Sequence, residues 1–410
     1  MKNLIIHRGT QEIGGSAVEI KNKNTRLLFD FGIPLEFMKK DDYSLEDYKL
    51  DIKGLYKDDE PEFDAVFLTH AHPDHYGLIE LINPQIPIYV SKITYDILTK
   101  ITPLLPKQSE RIFNLKIIDE DVVFEDIIVK SHSVNHSVAG ACAYEILVDN
   151  KTIVYTGDIR FHGRTSTRSC ALVDKIKSPD YLIMEGTTIG RKEQTVMTEF
   201  DLESKFIEIF NGDKLPIVQF SPQNLDRFVT VYKACLKSKK TLVIDPYTCY
   251  VLDVYSQISK HIPQFSWNNI QVYFANTPVS VKLAETKKLY RYKSKKIDIN
   301  TIVKNPEKYV IKANGVINSK IFEKINKDKV IMIFSMWRGY LYKSAEFDDY
   351  EDIIVPLHTS GHAYVSDLQK LVERMNPQNV IPIHTEYKEQ FAKLFTANII
   401  ELDDGQNLSF

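Results

Sequence analysis

Thr69-His70-Ala71-His72-Pro73-Asp74-His75-Tyr76-Gly77 sets three imidazoles and a carboxylate within six residues. The apolar run Ala65-Val66-Phe67-Leu68 leads directly into it. That run is short, β-prone and bounded by acids, so it reads as a buried strand. The polar cluster then falls at the carboxyl end of the strand, where a chain turns and side chains converge. Neutral imidazole and carboxylate are ordinary ligands for zinc and related ions. Four such groups this close do not all point at one ion, so the spacing predicts two metals sharing the loop. With 11 histidines in 410 residues, three in six positions is a poor match to chance.

Working outward, the same arrangement recurs. Asp158 follows Thr152–Thr156, Glu185 follows Tyr181–Met184, and His136 lies beyond the strand pair Val122–Val129. His362 follows Ile353–Leu357, and His384 follows Val380–Ile383. Open sheets bind ligands outside the carboxyl ends of their strands. A single histidine after a strand is most often a core or surface residue; it is the joint pattern that argues for a site.

The rest of the composition narrows the class. A chain of this length fits two domains better than one core. Hydrophobic content of 43% and charged content of 26% are those of a soluble globular protein. The formal charge of −3 offers no global basic field, so a polyanion would have to meet a local patch. Cys142, Cys170, Cys235 and Cys249 are scattered, without metal-ligand spacing or a disulfide framework. The N-terminus lacks the apolar core of a signal peptide, and no apolar run is long enough to cross a membrane. These features predict a reduced, cytoplasmic protein with no membrane partner.

Residues 3–33 read as strand, glycine turn and hairpin, ending at Asp30-Phe31-Gly32. The charged segment from Lys39 to Asp64 reads as a surface loop, with a lid as one use of it. From about residue 196 the pattern changes. Helical stretches (199–210, 225–237, 251–258, 279–290) alternate with short apolar strands (216–220, 241–244, 271–274, 330–334), the mark of an α/β layer with a mostly parallel sheet. None of the metal-ligand residues falls there. The expected domains are therefore 1–195, an insert over 196–344, and a returning segment over 345–410.

His70-Ala71-His72-Pro73-Asp74-His75, followed by His136 and Asp158, resembles the metallo-β-lactamase superfamily. Met184-Glu185-Gly186-Thr187, Ser360-Gly361-His362-Ala363 and Pro382-Ile383-His384-Thr385 resemble the later motifs of its β-CASP nuclease branch, which includes ribonuclease J. The resemblance implies an α/β fold, an αββα sandwich with an inserted α/β β-CASP domain. It implies two divalent metals, zinc or manganese. His70, His72 and His136 would hold one, Asp74, His75 and His384 the other, and Asp158 would bridge them. It also implies a catalytic set of Asp74, Asp158, His362 and Glu185, with His362 protonating the leaving oxygen and Glu185 orienting it. Ser360 and the backbone at Gly361 would contact phosphate. The implied substrate is single-stranded RNA, with DNA as an alternative. Ribonuclease J continues into a C-terminal domain that aids dimer formation, whereas this sequence ends at Phe410; a homo-oligomer is carried beside a monomer. Trp337-Arg338-Gly339 stands where relatives often carry an Arg-Pro pair lining the substrate groove, which makes Arg338 a substrate-contact expectation.

Other residues carry weaker signals. Arg160, Arg164 and Arg168, just past Asp158, either face a phosphate backbone or form a solvated loop. His132 reads as a supporting or surface residue and His162 as structural. Lys287, Lys288, Arg291, Lys293, Lys295 and Lys296, interleaved with Tyr290 and Tyr292, suit single-stranded nucleic acid, although a solvated helix end is the more common source of that composition. Competing functions are hydrolysis of a small ester or thioester, which the inserted domain argues against, and a di-iron redox protein, which would carry Glu where His72 stands. A scaffold protein would usually have lost ligands that are all present here.

Overall fold

A computed structural model of the chain describes residues 2–36, 43–105, 114–191, 196–343 and 350–410. The chain divides into two compact units. The first comprises Met1–Tyr95, Arg111–Thr195 and Gly361–Phe410; the second comprises Asp96–Glu110 and Val196–Ser360.

The first unit opens with β1 (Asn3–Arg8), β2 (Ala17–Asn22), β3 (Thr25–Phe29), β4 (Ala65–Phe67), β5 (Ile88–Val90) and β6 (Leu115–Ile117). It continues with β7 (Val122–Val123), β8 (Ile127–Ser133), β9 (Cys142–Val148), β10 (Lys151–Tyr155) and β11 (Tyr181–Glu185). The second unit holds β12 (Leu215–Gln219), β13 (Thr241–Ile244), β14 (Ile270–Val272), β15 (Tyr309–Lys312), β16 (Val330–Phe334) and β17 (Ile354–Pro356). The chain closes the first unit with β18 (Asn379–Ile383), β19 (Asn398–Ile399) and β20 (Asn407–Ser409).

Two seven-stranded sheets build the first unit, in the orders β20-β1-β2-β3-β4-β5-β6 and β19-β18-β11-β10-β9-β8-β7. They pack face to face through alternating inward residues. Leu4, Ile6, Val18, Ile20, Leu27, Phe29 and Phe67 of one sheet meet Val129, Tyr144, Ile146, Ile153, Tyr155, Ile183 and Ile381 of the other. The outer face of the second sheet is covered by helices Thr167–Lys175 and Val365–Met375, through Leu172, Val173, Leu368, Leu371 and Val372. Strands β3, β4 and β5 run parallel, as do β10, β11 and β18, so their carboxyl ends gather on common edges.

The second unit carries a six-stranded, all-parallel sheet in the order β14-β13-β15-β12-β16-β17. Several features depart from the sequence reading. Residues 96–105, expected within the domain 1–195, belong to the second unit. Tyr309–Lys312 carries no strand expectation, yet β15 is central, between β13 and β12. The run Ile353–Leu357 was assigned to the returning segment, yet Ile354 and Val355 pair with Met332 and Ile333 in the second unit's sheet. The compact first unit resumes at Gly361 rather than at about 345; residues 344–349 lie outside the described set. Residues 39–42 of the charged segment also lie outside it. Beyond them the segment packs, burying Tyr48, Ile52, Leu55, Tyr56 and Phe63. Among the described residues, no helix is long and apolar enough to cross a membrane.

Candidate metal centre

Strand β4 delivers the histidine cluster, and local chemistry shapes it into a turn. Pro73, whose fixed φ suits a first helical position, opens the one-turn helix Pro73–Tyr76 with His72 as its N-cap. Residues 31–33 clamp this turn through the backbone. Phe31 N–H donates to His75 O at 2.8 Å and Ile33 N–H to Pro73 O at 3.0 Å. Gly32, between them, approaches so closely that a Cβ would sit 1.7 Å from the Asp74 carbonyl oxygen.

Three imidazole nitrogens then converge. His70 Nε2 and His136 Nε2 lie 3.0 and 3.1 Å from His72 Nδ1. Asp158 turns Oδ2 toward this set, 3.6 Å from His70 Nε2 and 3.5 Å from His136 Nε2. Its Oδ1 faces a second set, 3.3 Å from His75 Nε2 and 3.9 Å from His384 Nε2. Asp74 Oδ2 joins that second set, 3.3 Å from His384 Nε2. In each of the groups His70–His72–His136–Asp158 and Asp74–His75–His384 the donor atoms lie within 4.8 Å of one another.

The donors suit a divalent ion. Asp158 Oδ1 and His75 Nε2 are buried without a hydrogen-bond partner, aimed at each other's neighbourhood, and buried polar atoms normally have one. Burial pushes the His70, His72 and His136 imidazoles down, His72 to about 4, so they stay neutral as ligation requires. Burial would raise Asp158, yet His384 and His75 hold it well below the usual carboxylate range. Burial would likewise raise Asp74, and the hydrogen bond from His384 outweighs it. His75 is the exception: burial disfavours its charged form, but Asp158 and Asp30 raise it well above its ordinary value. A positive charge is wanted between these carboxylates, and a divalent cation meets that need.

Two family models match the chain. A "Beta-lactamase superfamily domain" covers residues 51–212 and a "Zn-dependent metallo-hydrolase RNA specificity domain" covers residues 352–401. An RNase J-like protein of Methanocaldococcus jannaschii is 29% identical over 262 residues, 60% of this chain and 58% of that one. Ribonuclease J of Helicobacter pylori strain B128 is 21% identical over 427 residues, 98% of this chain and 59% of that one. The chain carries a metallo-β-lactamase superfamily domain and is similar to ribonuclease J-like proteins. It spans little more than half the length of these two relatives. A solved structure of a protein of unknown function from Enterococcus faecalis V583 shares the fold of this metallo-β-lactamase protein, with a TM-score of 0.82, 23% identity and 99% coverage of both chains.

Around the metallo-β-lactamase cluster, most of the candidate ligand imidazoles are held at their second nitrogen, which fixes ring orientation and tautomer. His75 Nδ1 lies 2.7 Å from Asp30 Oδ2, and His136 Nδ1 donates to the Gly361 carbonyl at 2.7 Å. His384 Nδ1 pairs with Thr187 Oγ1 at 2.8 Å and His70 Nδ1 with Thr69 Oγ1 at 3.0 Å. Asp30, Thr69 and Thr187 were missed by the sequence reading. Asp30 directly follows β3, so the strand-end rule that found the ligands would have found it too. Asp30 and His384 also share a left-handed backbone, with φ of +58° and +53°, a strained choice for such residues that gathers at functional sites.

Beside the ligands, Glu185 Oε2 accepts from His362 Nδ1 at 2.9 Å. Burial lowers the His362 pKa, but Glu185 and Asp158 raise it more, to a net value above the ordinary one. His362 Nδ1 also lies 3.6 Å from Asp158 Oδ2.

The expected substrate contacts fare differently. Arg160 is fully buried, and its Nε donates to Asn135 Oδ1 at 2.7 Å. It braces the His136 loop from inside and offers no surface to a phosphate backbone, which corrects that expectation. At Gly361 the structure shows the carbonyl at work on His136. Ser360 is half-buried and Arg338 exposed, both in the second unit. His132 pairs with Glu145 at 2.8 Å across β8 and β9, and His162 is buried against Tyr364; neither joins the cluster.

Proposed function

We propose that this protein is a metal-dependent ribonuclease, hydrolysing phosphodiester bonds in single-stranded RNA with two divalent ions, zinc or manganese. One observation carries the reading: Asp158 turns one oxygen toward each of two histidine-rich donor sets, with the Glu185–His362 pair beside it. The names of the relatives, and the RNA specificity domain matched over 352–401, support RNA as substrate. His70, His72 and His136 would hold one ion, Asp74, His75 and His384 the other, and Asp158 would touch both. Two ions in such a site supply an activated water and charge stabilisation on the phosphoryl oxygens.

The chain's own groups do the rest. Asp30, Thr69, Thr187 and the Gly361 carbonyl aim the imidazoles before anything binds, so little reorganisation is left for the reaction. Glu185 takes the Nδ1 proton of His362 in a hydrogen bond and favours the protonated ring. His362 then donates a proton to the leaving oxygen as the phosphorus–oxygen bond breaks. Ser360 and Arg338 are proposed to steady the phosphate chain. The four cysteines are free, which suits a reducing cytoplasm.

The test is metal analysis of the purified protein together with cleavage of 5′-labelled single-stranded RNA and DNA. Two ions per chain and metal-dependent RNA cleavage are expected, and Asp158→Ala should lose both. Full metal content and full activity in Asp158→Ala would refute the bridge. Preferential cleavage of DNA, or turnover of a small thioester alone, would overturn the choice of RNA.

A further inference from the structure

Between Lys282 and Lys296 the chain carries seven basic residues and one acid, Glu285, a net charge of +6. The whole chain is −3, so everything else sums to −9. This local reversal of sign lies in the second unit, largely on the 3₁₀ helix Lys288–Lys295. A 3₁₀ helix has three residues per turn, so every third side chain lines up on one face. Tyr292 is fully buried on the inner row, where its hydroxyl donates to Asp253 at 2.6 Å, and Lys295 donates to the Trp267 carbonyl at 3.0 Å. On the flanking row, Arg291 pairs with Asp253 at 3.1 Å and Lys288 donates to the Tyr250 hydroxyl at 3.0 Å.

The third row is Tyr290 and Lys293, flanked by the two caps of the helix, Lys287 with left-handed backbone and Lys296 with extended backbone. All four are exposed, Tyr290 by 52%. Lys293 Nζ lies 4.5 Å from the centre of the Tyr290 ring. Among the described residues, the three lysines enter no ion pair. The anchored rows hold Tyr290 and Lys293 in place, and the caps add Lys287 and Lys296 at either end. Exposed lysines with an aromatic ring among them match a single strand, whose phosphates take the charges and whose bases stack. A protein partner would need only acids, and a membrane surface would use more apolar area than this row exposes.

We infer that Lys287, Tyr290, Lys293 and Lys296 form a docking surface for single-stranded RNA; the inference rests on the ribonuclease reading for its choice of polyanion. The experiment measures binding of a 2′-O-methyl single-stranded RNA by the whole protein over a range of salt. The exposed triple variant Lys287→Ser/Lys293→Ser/Lys296→Ser should bind at least tenfold more weakly at low salt. Its slope of log affinity against log salt should be shallower by about two, at roughly 0.7 per lost phosphate contact. Tyr290→Ala should weaken binding roughly tenfold with the slope unchanged. Cleavage of a trinucleotide by either variant should match the parent, which shows the fold intact. Parent-like affinity and slope in the triple variant would overturn the surface, as would row-dependent binding to phosphatidylglycerol vesicles without binding to RNA. If the row binds RNA but the parent cleaves none, the surface stands and the ribonuclease reading falls.

Discussion

Asp30 is one side chain with four tasks. It accepts from the Thr69 amide at 2.7 Å, from the Thr69 hydroxyl, from Tyr155 Oη at 2.8 Å, and it holds His75 Nδ1. Outer carboxylates of this kind typically carry a factor of about 10–100 in metal affinity. Asp30→Asn should therefore lower metal affinity by that order in a chelator competition, with no ligand removed; unchanged affinity would show that Asp30 serves the fold alone. The proposed proton donor can be tested separately. His362→Ala should keep its metal and lose about 10²–10⁴ in single-turnover cleavage, roughly 3–5 kcal/mol of barrier. Glu185→Gln should lose less, because the ring keeps a hydrogen-bond partner but not the charge. The double variant should be little worse than His362→Ala, since the two residues act as one unit. Parent rates in both single variants would remove them from the chemistry. The convergence of the His and Asp side chains was legible in the sequence because six residues hold four of them. The Gly361 carbonyl was not, because a backbone acceptor leaves no mark in a sequence. Arg160 was misread because its partner, Asn135, lies in a different loop.

At the scale of elements, the strands of the second unit show what periodicity settles. Val330–Phe334 and Thr241–Ile244 read as strands because they are short, apolar and bounded by breakers. Tyr309–Lys312 has only two aliphatics between a tyrosine and a lysine, too little pattern to see, although the sheet needs it at its centre. Ile354–Pro356 shows a different limit: an apolar run declares a strand but not the sheet it joins. The helix Pro246–Tyr255 offers a test of capping and charge together. Its N-cap Asp245 is buried, accepts from the Thr248 amide at 2.7 Å and from Asn314 Nδ2 at 2.9 Å, and lies 4.0 Å from Lys312 Nζ. Burial pushes its carboxyl up, but Lys312 and these hydrogen bonds hold it below the ordinary 3.8. A carboxylate whose folded pKa is depressed stabilises fully above its unfolded value and loses that contribution as pH falls toward the folded one. Asn caps as well as Asp, so Asp245→Asn isolates the charge. It should cost about 1–3 kcal/mol in urea unfolding at pH 7, with the gap to the parent closing below about pH 4. A gap that does not narrow at all as pH falls below 4 would count against the charge.

At the scale of the molecule, the metal set belongs wholly to the first unit and both tryptophans, Trp267 and Trp337, to the second. An ion bound only to the folded state at 100 times its Kd contributes about 2.7 kcal/mol. For domains of this size that is roughly 2–4 °C per kcal/mol. Chelation should then lower the thermal midpoint seen by circular dichroism by several degrees while the tryptophan fluorescence transition stays in place. Equal shifts by both probes would show that the ions stabilise the second unit as well. The ligand order along the chain has a further consequence. Asp74 and His384 meet across 310 residues, so the cluster closes only after β18 has been made. A ribosome making this chain therefore releases six members of the cluster, from His70 to Asp158, more than two hundred residues before the seventh, His384.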